Sequence, residues 1–408
     1  EAIRTMKILH TSDWHLGHTL YNYDRTAEQQ AFLRQLACIV AEEQPDAMVV
    51  SGDIYHYSAP AAATQKMYTD AMLDIHQACP GMTIVVTAGN HDSSSKLEID
   101  SSLWQHFGLN VVGNIERTAE EVNLDKHIIQ VKNEKGTIGY VIAVPHVYPQ
   151  NFPLLDSETP RDQRQARFFQ ALLDEVKKRN TAQLPVVLMA HLSIEGSDRS
   201  GHDESIGGIE YVPLSAMGEG YDYLALGHIH CPQDIKGSHH HARYCGTPLP
   251  VSFDETYPHS VSIVKLEKGV EPQISTREIE NTIPLVTLPH DPTPFEDALK
   301  LLEEYPEERP AYLRLNVLTN GYLPPDCNEK ASNATKGKTC KYCYIKTTRE
   351  RQADTDESKH ISIQEMQEMS PLEIARLYYR ETEGEEMDAE LCLLMETAVQ
   401  KVKSKNNP

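Results

Sequence analysis

The chain has 408 residues, of which 40% are hydrophobic and 24% are charged, and its formal net charge is −22. This length predicts two or three domains, because single hydrophobic cores stop growing at about 250–300 residues. The composition excludes a disordered chain. The acidic balance argues against a protein that coats nucleic acid by charge alone, since such binding needs clustered Lys and Arg.

No apolar run approaches the roughly 18 residues that are needed to span a bilayer, so we expect no membrane segment. Eight cysteines are scattered along a chain that is too large to need disulfides for stability. This usage favours a reduced, cytoplasmic protein.

Strand-like and helix-like runs alternate from residue 7 to about residue 265, which is typical of an α/β domain whose sheet is covered by helices. Six apolar runs predict strands: KILHTS (7–12), DAMVVSG (46–52), MTIVVTA (82–88), TIGYVIAVP (137–145), LPVVLMA (184–190) and YDYLALG (221–227). Between them, apolar residues at helical spacing predict helices around residues 32–40, 68–79 and 169–176.

Proline and charge become frequent over residues 271–292, so we expect a first domain over residues 6–272. A smaller α+β unit, residues 273–350, would contain a helix in PFEDALKLLEEY and a strand in AYLRLNVLT. The polar segment 321–357 is expected to be loop. Residues 351–408 would form C-terminal helices, one opened by a capping box from Ser370 to Glu373 and one running from about Asp388 to Lys403.

Five predicted strands end in side chains that can bind a metal ion. The ends read SDWH, SGD, GNHD, MAHLS and GHIH, and they carry Asp13, His15, Asp53, Asn90, His91, His191, His228 and His230. Ligands bind at the carboxyl ends of strands in open α/β sheets, so these side chains are expected to converge. Residues two apart in an extended segment point the same way, which lets the Asp-x-His and His-x-His pairs each grip one site.

The candidate ligands are two Asp, one Asn and four or five His. This number exceeds the four ligands of one tetrahedral metal site and is suitable for two cations. Mixed imidazole and oxygen ligands favour manganese, iron or zinc over magnesium or calcium. Taken singly, each motif has a structural alternative, because Gly-Asp and Gly-Asn are common turns and a lone His is commonly a satisfied polar residue. The structural alternative would require that metal-binding residue types occur by chance at the ends of all five strands.

The ordered set D-x-H, G-D, G-N-H-D, an isolated H and G-H-x-H resembles that of the calcineurin-like metallophosphoesterases. The strings MKILHTSDWHLG, LALGHIH and YCGTPLPVSFDE narrow the resemblance to the SbcD nuclease family. It implies a four-layer α/β fold, in which a mixed β-sandwich is flanked by helices. A smaller α+β capping domain for DNA recognition and C-terminal helices would follow the nuclease domain.

The resemblance also implies roles for the site residues. Seven of them would hold two divalent metal ions, most consistent with manganese, and Asp53 would be shared: Asp13, His15, Asp53, Asn90, His191, His228 and His230. His91 matches the catalytic His of the family, near the leaving group. His56, in GDIYH, lies where some relatives carry a second catalytic His.

DNA is the substrate that the resemblance implies, with 3′-to-5′ exonuclease and hairpin or single-strand endonuclease action. An SbcC-type coiled-coil ATPase would be the partner, docked by the C-terminal helices. Helices near residues 60–79 and 93–107 would form a homodimer within a heterotetramer. Two alternatives stay open, a small-substrate phosphodiesterase of the same superfamily and a non-catalytic scaffold. The complete ligand set argues against the scaffold, and the long chain beyond the phosphoesterase domain argues against the small-substrate enzyme.

Two further histidine and carboxylate features are ambiguous. Asp92 either orients a neighbouring His or caps the next helix. The three histidines at 239–241 are expected in an exposed hairpin and not among the metal ligands.

The cysteine-containing segment allows two interpretations as well. Cys340 and Cys343, with Cys327 upstream, resemble part of a zinc site, but the fourth ligand is missing and zinc is the less favoured interpretation. The basic stretch 335–352 either contacts nucleic acid, with Tyr342 and Tyr344 stacking on bases, or is a solvated loop.

Overall fold

The computed structural model describes residues 5–117, 121–156, 158–200, 211–349, 370, 372–376, 379, 387–388 and 391–395. The chain divides into two compact units, Glu1–Thr348 and Arg349–Pro408. Within the described ranges, no helix combines the length and the apolar character that crossing a membrane requires.

The strands of the first unit are β1 (Met6–Thr11), β2 (Ala47–Ser51), β3 (Thr83–Thr87), β4 (Leu109–Val112), β5 (Ile128–Asn133), β6 (Gly136–Ala143), β7 (Val186–His191), β8 (Ser193–Ile194), β9 (Tyr211–Val212), β10 (Tyr223–Gly227), β11 (Gln233–Asp234), β12 (Ala242–Tyr244), β13 (Ser260–Leu266), β14 (Gln273–Glu278), β15 (Leu285–Thr293), β16 (Tyr312–Thr319) and β17 (Lys341–Arg349). Its α-helices are α1 (Thr26–Glu43), α2 (Ala62–Ala78), α3 (Ser94–Leu97), α4 (Ser101–Trp104), α5 (Arg164–Arg179), α6 (Phe295–Glu303) and α7 (Cys327–Ala334). All six predicted strands and the three predicted helices of the first domain are present, with ends shifted by one or two residues for the strands.

Two six-stranded mixed sheets form the centre of the first unit. The first has the order β14-β13-β1-β2-β3-β4, with β1 to β4 parallel and β13 antiparallel to β1. The second has the order β11-β12-β10-β7-β6-β5, with β6, β7, β10 and β12 parallel. Strand β14 pairs with β13, so the first sheet continues beyond residue 272, and the domain boundary predicted there stays a prediction.

The two sheets pack face to face through a shared apolar core. Ile8, Val49 and Val85 from the first sheet meet Val187 and Met189 from the second. Strands that are covered on both faces need continuous apolar runs, which is what the predicted strands contain. Helices α1 and α2 cover the outer face of the first sheet and α5 covers that of the second. The predicted four-layer fold is therefore confirmed.

A smaller α+β assembly follows, with the strand order β15-β16-β17. Helices α6 and α7 pack on it through a separate apolar cluster. The prediction of loop over 321–357 is wrong for α7 and β17. Cys327, Ala331, Cys340 and Tyr342 are buried there, and this short, interrupted apolar pattern was hidden by the lysines between its members.

The buried cysteines of this assembly belong to its core. Cys327 and Cys340 are 7% and 4% exposed within the apolar cluster. No group of potential metal ligands among the described residues includes a cysteine. The structure thus gives no support to the zinc interpretation. Tyr342 is also buried, and its hydroxyl donates to Asn328 at 2.6 Å.

Polar and aromatic contacts join the smaller assembly to the β-sandwich. The Tyr312 hydroxyl on β16 donates to Glu28 on α1 at 2.8 Å, and Arg25 donates to the same carboxylate at 2.9 Å. Tyr344 on β17 stacks on Tyr21, with ring centroids 4.6 Å apart. The buried Arg25 therefore satisfies its charge where the two parts meet.

In the second unit, the capping box is confirmed. The Ser370 backbone N–H donates to the Glu373 carboxylate at 2.7 Å, and the Glu373 N–H donates back to Ser370 Oγ at 3.3 Å. Residues 372–376 and 391–395 are helical. Most of the predicted partner-docking region, including residues 351–369 and 396–408, lies outside the described residues.

Candidate metal centre

The carboxyl ends of β1, β2, β3, β7 and β10 meet at one edge of the two sheets. The seven predicted metal ligands are brought together there, and most of them are nearly inaccessible to solvent. Asp13, His15, Asp53 and His191 are each 1–2% exposed. A lone carboxylate or imidazole buried to this extent needs compensating charge, so the cluster is stable only as a set.

The donor atoms of the cluster lie close to one another. His191 Nε2 is 3.4 Å from Asp53 Oδ2 and 3.0 Å from Asn90 Oδ1. His228 Nδ1 is also 3.0 Å from Asn90 Oδ1. His15 Nε2 is 3.3 Å from His230 Nε2 and 3.8 Å from Asp53 Oδ2. Asp53 therefore lies between a His15 side and a His191 side of the cluster.

Three glycines allow this close approach. A Cβ atom on Gly89 would lie 2.1 Å from Asp53 Oδ1, and one on Gly52 would lie 2.2 Å from His191 Nδ1. A Cβ atom on Gly227 would lie 1.9 Å from the Ser51 carbonyl oxygen. Each glycine precedes a predicted ligand. The Gly-Asp, Gly-Asn and Gly-His pairs of the sequence therefore allow neighbouring strand ends to pack closely, since a larger residue than glycine would clash there.

Four of the seven ligands have backbone conformations that L-residues rarely adopt. The φ angles are 54° at Asp13, 46° at His15, 52° at Asp53 and 98° at His228. Such conformations cost about 1–3 kcal/mol each and persist where the surroundings impose them. These turns bring Asp13, His15 and Asp53 into the cluster.

Hydrogen bonds fix which ring nitrogens face the centre. His191 Nδ1 donates to the Ser51 carbonyl oxygen at 2.7 Å, because a carbonyl can only accept. His230 Nδ1 donates to Glu255 at 3.0 Å. The Nε2 atoms of both rings are left with lone pairs that point to the other donors, which is the arrangement of metal-binding histidines.

The centre has the electrostatics of a cation site. With its proton on Nδ1, a neutral His191 presents a lone pair to another lone pair on Asn90 Oδ1, 3.0 Å away. This contact is repulsive unless a proton or a metal ion lies between the two atoms. Burial alone would lower the pKa of His191, but the Asp53 carboxylate raises it to about 9. Positive charge is therefore favoured at this point, and the donor set fits divalent metal ions.

The Asp53 carboxylate responds in the complementary way. Burial would raise its pKa, but the charges of His191 and His15 hold the pKa well below its usual value. Asp53 also accepts a hydrogen bond from the His91 backbone N–H at 2.9 Å. The carboxylate is thus ionised and fixed in orientation.

Next to the donors, His91, His56 and His18 form a wall of imidazole rings. His91 stacks on His56 with ring centroids 5.2 Å apart, and the edge of His18 meets His56 at 4.6 Å. All three rings line a cavity of about 400 Å³ that also exposes His15, Asp53 and His230. An anionic group bound to the donors would face these rings.

The sequence did not single out several residues that support the site. Glu255 orients His230, and Thr247 Oγ1 donates to the second oxygen of Glu255 at 3.0 Å. The string SFDE gave no sign of this role, because pairing of Glu255 with His230 depends on the fold. His18 was missed as well, although it lies three residues after His15.

Asp92 has neither of the two predicted roles. Its carboxylate accepts hydrogen bonds from the backbone N–H groups of Ile54, Tyr55 and Gly89, at 3.1, 2.9 and 2.8 Å. It therefore ties together the loops that carry Asp53 and Asn90. The histidines at 239–241 do lie in a turn between β11 and β12, with His239 and His240 exposed, as predicted.

Comparison with known families agrees with this geometry. Residues 6–232 match the model of the calcineurin-like phosphoesterases, which is more than half of the chain. The chain belongs to this family. It is a metal-dependent phosphoesterase, and this membership together with the donor set implies two divalent metal ions. Residues 281–383 match a second model, described as the type 5 capsule protein repressor C-terminal domain.

Individual relatives place the chain in the SbcD group of that family. It is 34% identical over 309 residues to the SbcD subunit of the SbcCD nuclease from Rhodobacter capsulatus, covering 73% of this chain and 75% of the relative. It is 28% identical to the SbcD subunit from Escherichia coli K12, covering 94% of both chains. A dimetal phosphatase from Danio rerio is 14% identical, with 66% of this chain and 98% of that chain covered and a TM-score of 0.38.

Proposed function

We propose that this chain is the nuclease subunit of an SbcCD-type complex, which cleaves DNA as a 3′-to-5′ exonuclease and as an endonuclease on hairpins and single strands. The observation that carries the proposal is the convergence of seven predicted metal donors, five buried and two half-buried, beside the His91–His56 pair. Relatives named as the SbcD subunit of the SbcCD nuclease, one of them similar over 94% of the chain, support DNA as the substrate.

In this proposal the donors divide into two overlapping sets. One metal ion would be held by Asp13, His15, Asp53 and His230, and the other by Asp53, Asn90, His191 and His228. The contacts of His15 with His230, and of Asn90 with both His191 and His228, support this division. Two bound divalent ions would supply an activated water and neutralise charge on the phosphate.

The protein's own groups then handle orientation and the proton. His91 Nδ1 donates to the His56 carbonyl oxygen at 2.9 Å, which fixes the ring and reserves Nε2 for the substrate. Protonated at Nε2, His91 would give that proton to the departing oxygen of the phosphodiester. His56 stacks on His91, and its Nδ1 atom lies 3.4 Å from Nδ1 of His15. It would therefore hold the protonated His91 ring next to the metal donors.

The finer assignments are also proposals. Manganese is the favoured metal because four imidazoles and three oxygen donors suit it better than magnesium. An SbcC-type ATPase is the proposed partner, docked by the C-terminal helices of residues 351–408, in a heterotetramer with a homodimer of this chain. Residues 273–350 would cap the nuclease domain and contact DNA, and the complex would act in the cytoplasm.

Substrate choice separates this function from the small-substrate phosphodiesterase. Purified protein is given linear duplex DNA, hairpin DNA and a chromogenic phosphodiester, each with manganese and with magnesium, with and without the ATPase. Cleavage of DNA supports the proposal. Rapid turnover of the small ester with none of DNA, even with the ATPase present, would replace it. Absence of turnover on all three substrates by a metal-loaded protein would favour a scaffold.

A further inference from the structure

A second cavity, of about 420 Å³, opens on the other side of the metal donors. We call it the lateral cavity; Asn90, His191 and His228 form the part of its wall that it shares with the metal centre. The mechanism above does not use it. Its volume falls in the range of about 300–1,000 Å³ that is usual for small-molecule sites.

The remaining wall is mainly apolar. Its apolar members include Val147, Phe152, Phe169, Leu192 and Val212. Phe152 and Phe169 are 3% and 0% exposed, so this wall is held rigidly by the core of the second sheet. A rigid apolar wall favours a hydrophobic group over a hydrated one.

Two polar atoms of the lateral cavity have no hydrogen-bond partner among the described residues. They are Ser193 Oγ, on a residue that is 2% exposed, and His146 Nε2. Buried polar atoms are normally paired, so two orphans in the wall of one cavity point to a ligand. His146 Nδ1 donates to the His191 carbonyl oxygen at 3.2 Å, which leaves Nε2 with a lone pair that can accept.

The rim of the lateral cavity carries an aromatic ring. Tyr148 is 53% exposed, and its ring meets that of His146 edge to face with centroids 4.9 Å apart. Gln150 and Gln165 also line the cavity and add amide groups. The site therefore combines apolar walls, an exposed stacking surface, an imidazole acceptor and a hydroxyl.

We propose that the lateral cavity binds one unpaired nucleobase, from a nucleotide that flanks the phosphate being cleaved. This inference rests on the proposed nuclease function. Nucleobases have apolar faces and N–H groups at their edges, which match the walls and the two unpaired atoms. A sugar would leave the apolar walls uncovered, and an alkyl chain would leave Ser193 and His146 unpaired. A base-paired nucleotide cannot enter, so the terminal pair must open before cleavage.

A blocking variant tests the inference. Gln165→Trp, in the first turn of α5, places an indole in the cavity, and Gln163→Trp, at an exposed position just before α5, is the matched control. Cleavage rates are measured on end-labelled oligonucleotides, each with one abasic residue at a position around the cut bond. Wild type and Gln163→Trp should lose about tenfold in rate when the abasic residue takes one of the flanking positions, the usual worth of base stacking.

Gln165→Trp should cleave the intact and abasic substrates at the same slow rate. On the intact substrate, Ser193→Ala should be slower than wild type, but by a smaller factor than Gln165→Trp. Equal rates for all abasic positions in wild type, or an unchanged ratio in Gln165→Trp, would overturn the nucleobase site while leaving the nuclease function intact. Binding of 2-aminopurine deoxynucleoside monophosphate tests the site without cleavage. Its fluorescence should be quenched by wild type and not by Gln165→Trp, and absence of quenching by wild type would overturn the inference whatever the DNA assay shows.

Discussion

The Nδ1 atom of His91 donates to the backbone carbonyl oxygen of His56 at 2.9 Å, while the backbone N–H of His91 donates to Asp53 at the same distance. One residue is thus fixed both to the proposed bridging ligand and to the neighbouring imidazole. Its ring adds no atom to the set of seven donors. Because the proposed function leaves this ring out of the metal ligands, binding of metal and transfer of a proton should be separable by mutation.

Replacing Asp53 with Asn should remove both metal ions, because in the proposed function this carboxylate belongs to both donor sets. Replacing His91 with Gln should leave both ions bound and slow cleavage by about 100-fold or more, the usual contribution of general acid catalysis. Elemental analysis of the purified variants and cleavage rates at saturating manganese measure the two effects. Equal loss of metal in both variants would show that the two roles are not separate.

Gly89→Ala should disable the centre without changing any donor. Its Cβ would meet Asp53 Oδ1 at 2.1 Å and the Asp53 backbone nitrogen at 2.3 Å, so the strand ends must move apart. Displacements of about 1 Å in such sites cost on the order of 100-fold in rate. Gly81→Ala is the control, since no atom lies within 4 Å of its added Cβ. Normal cleavage by Gly89→Ala would mean that the centre tolerates a looser geometry.

The sequence predicted the fold and the site well where the signal is local. Buried parallel strands such as β2 and β3 need unbroken apolar runs, and ligands at their ends follow directly in the chain. Glu255 and Asp92 could not be assigned in this way, because their partners His230 and Ile54 come near only after the sheets pack. The strand β17 was missed because only its first half is buried or half-buried, while residues 346–349 are polar and exposed.

The contact between Glu255 and His230 leads to a prediction about metal affinity. Glu255→Gln keeps the size of the side chain but loses the charge that makes His230 a stronger ligand. Loss of such supporting groups lowers metal affinity by about 10–100-fold. Competition between the protein and a chelator for manganese measures the change, with the exposed Glu280→Gln as control. Unchanged affinity in Glu255→Gln would show that Glu255 only fills space.

Stability should fall in mild acid partly because of His127, far from the donors in the sequence. This ring is fully buried; burial lowers its pKa from 6.5 to about 4, although a hydrogen bond to the Ala143 carbonyl at 2.7 Å opposes the shift. Between these values the unfolded chain takes up a proton and the folded chain does not, so stability is complete above pH 6.5 and declines as the pH falls. At pH 5 the loss is roughly 2 kcal/mol from this group.

His127→Gln can keep the hydrogen bond to Ala143 but has no proton to gain. Urea unfolding of metal-free protein at pH 7 and pH 5 should therefore show a smaller acid loss in this variant than in wild type, by roughly 2 kcal/mol. All other histidines are present in both proteins, so the difference isolates His127. His106→Gln, at an exposed position, should follow wild type. An acid loss in His127→Gln as large as that of wild type would mean that the buried ring becomes protonated without unfolding.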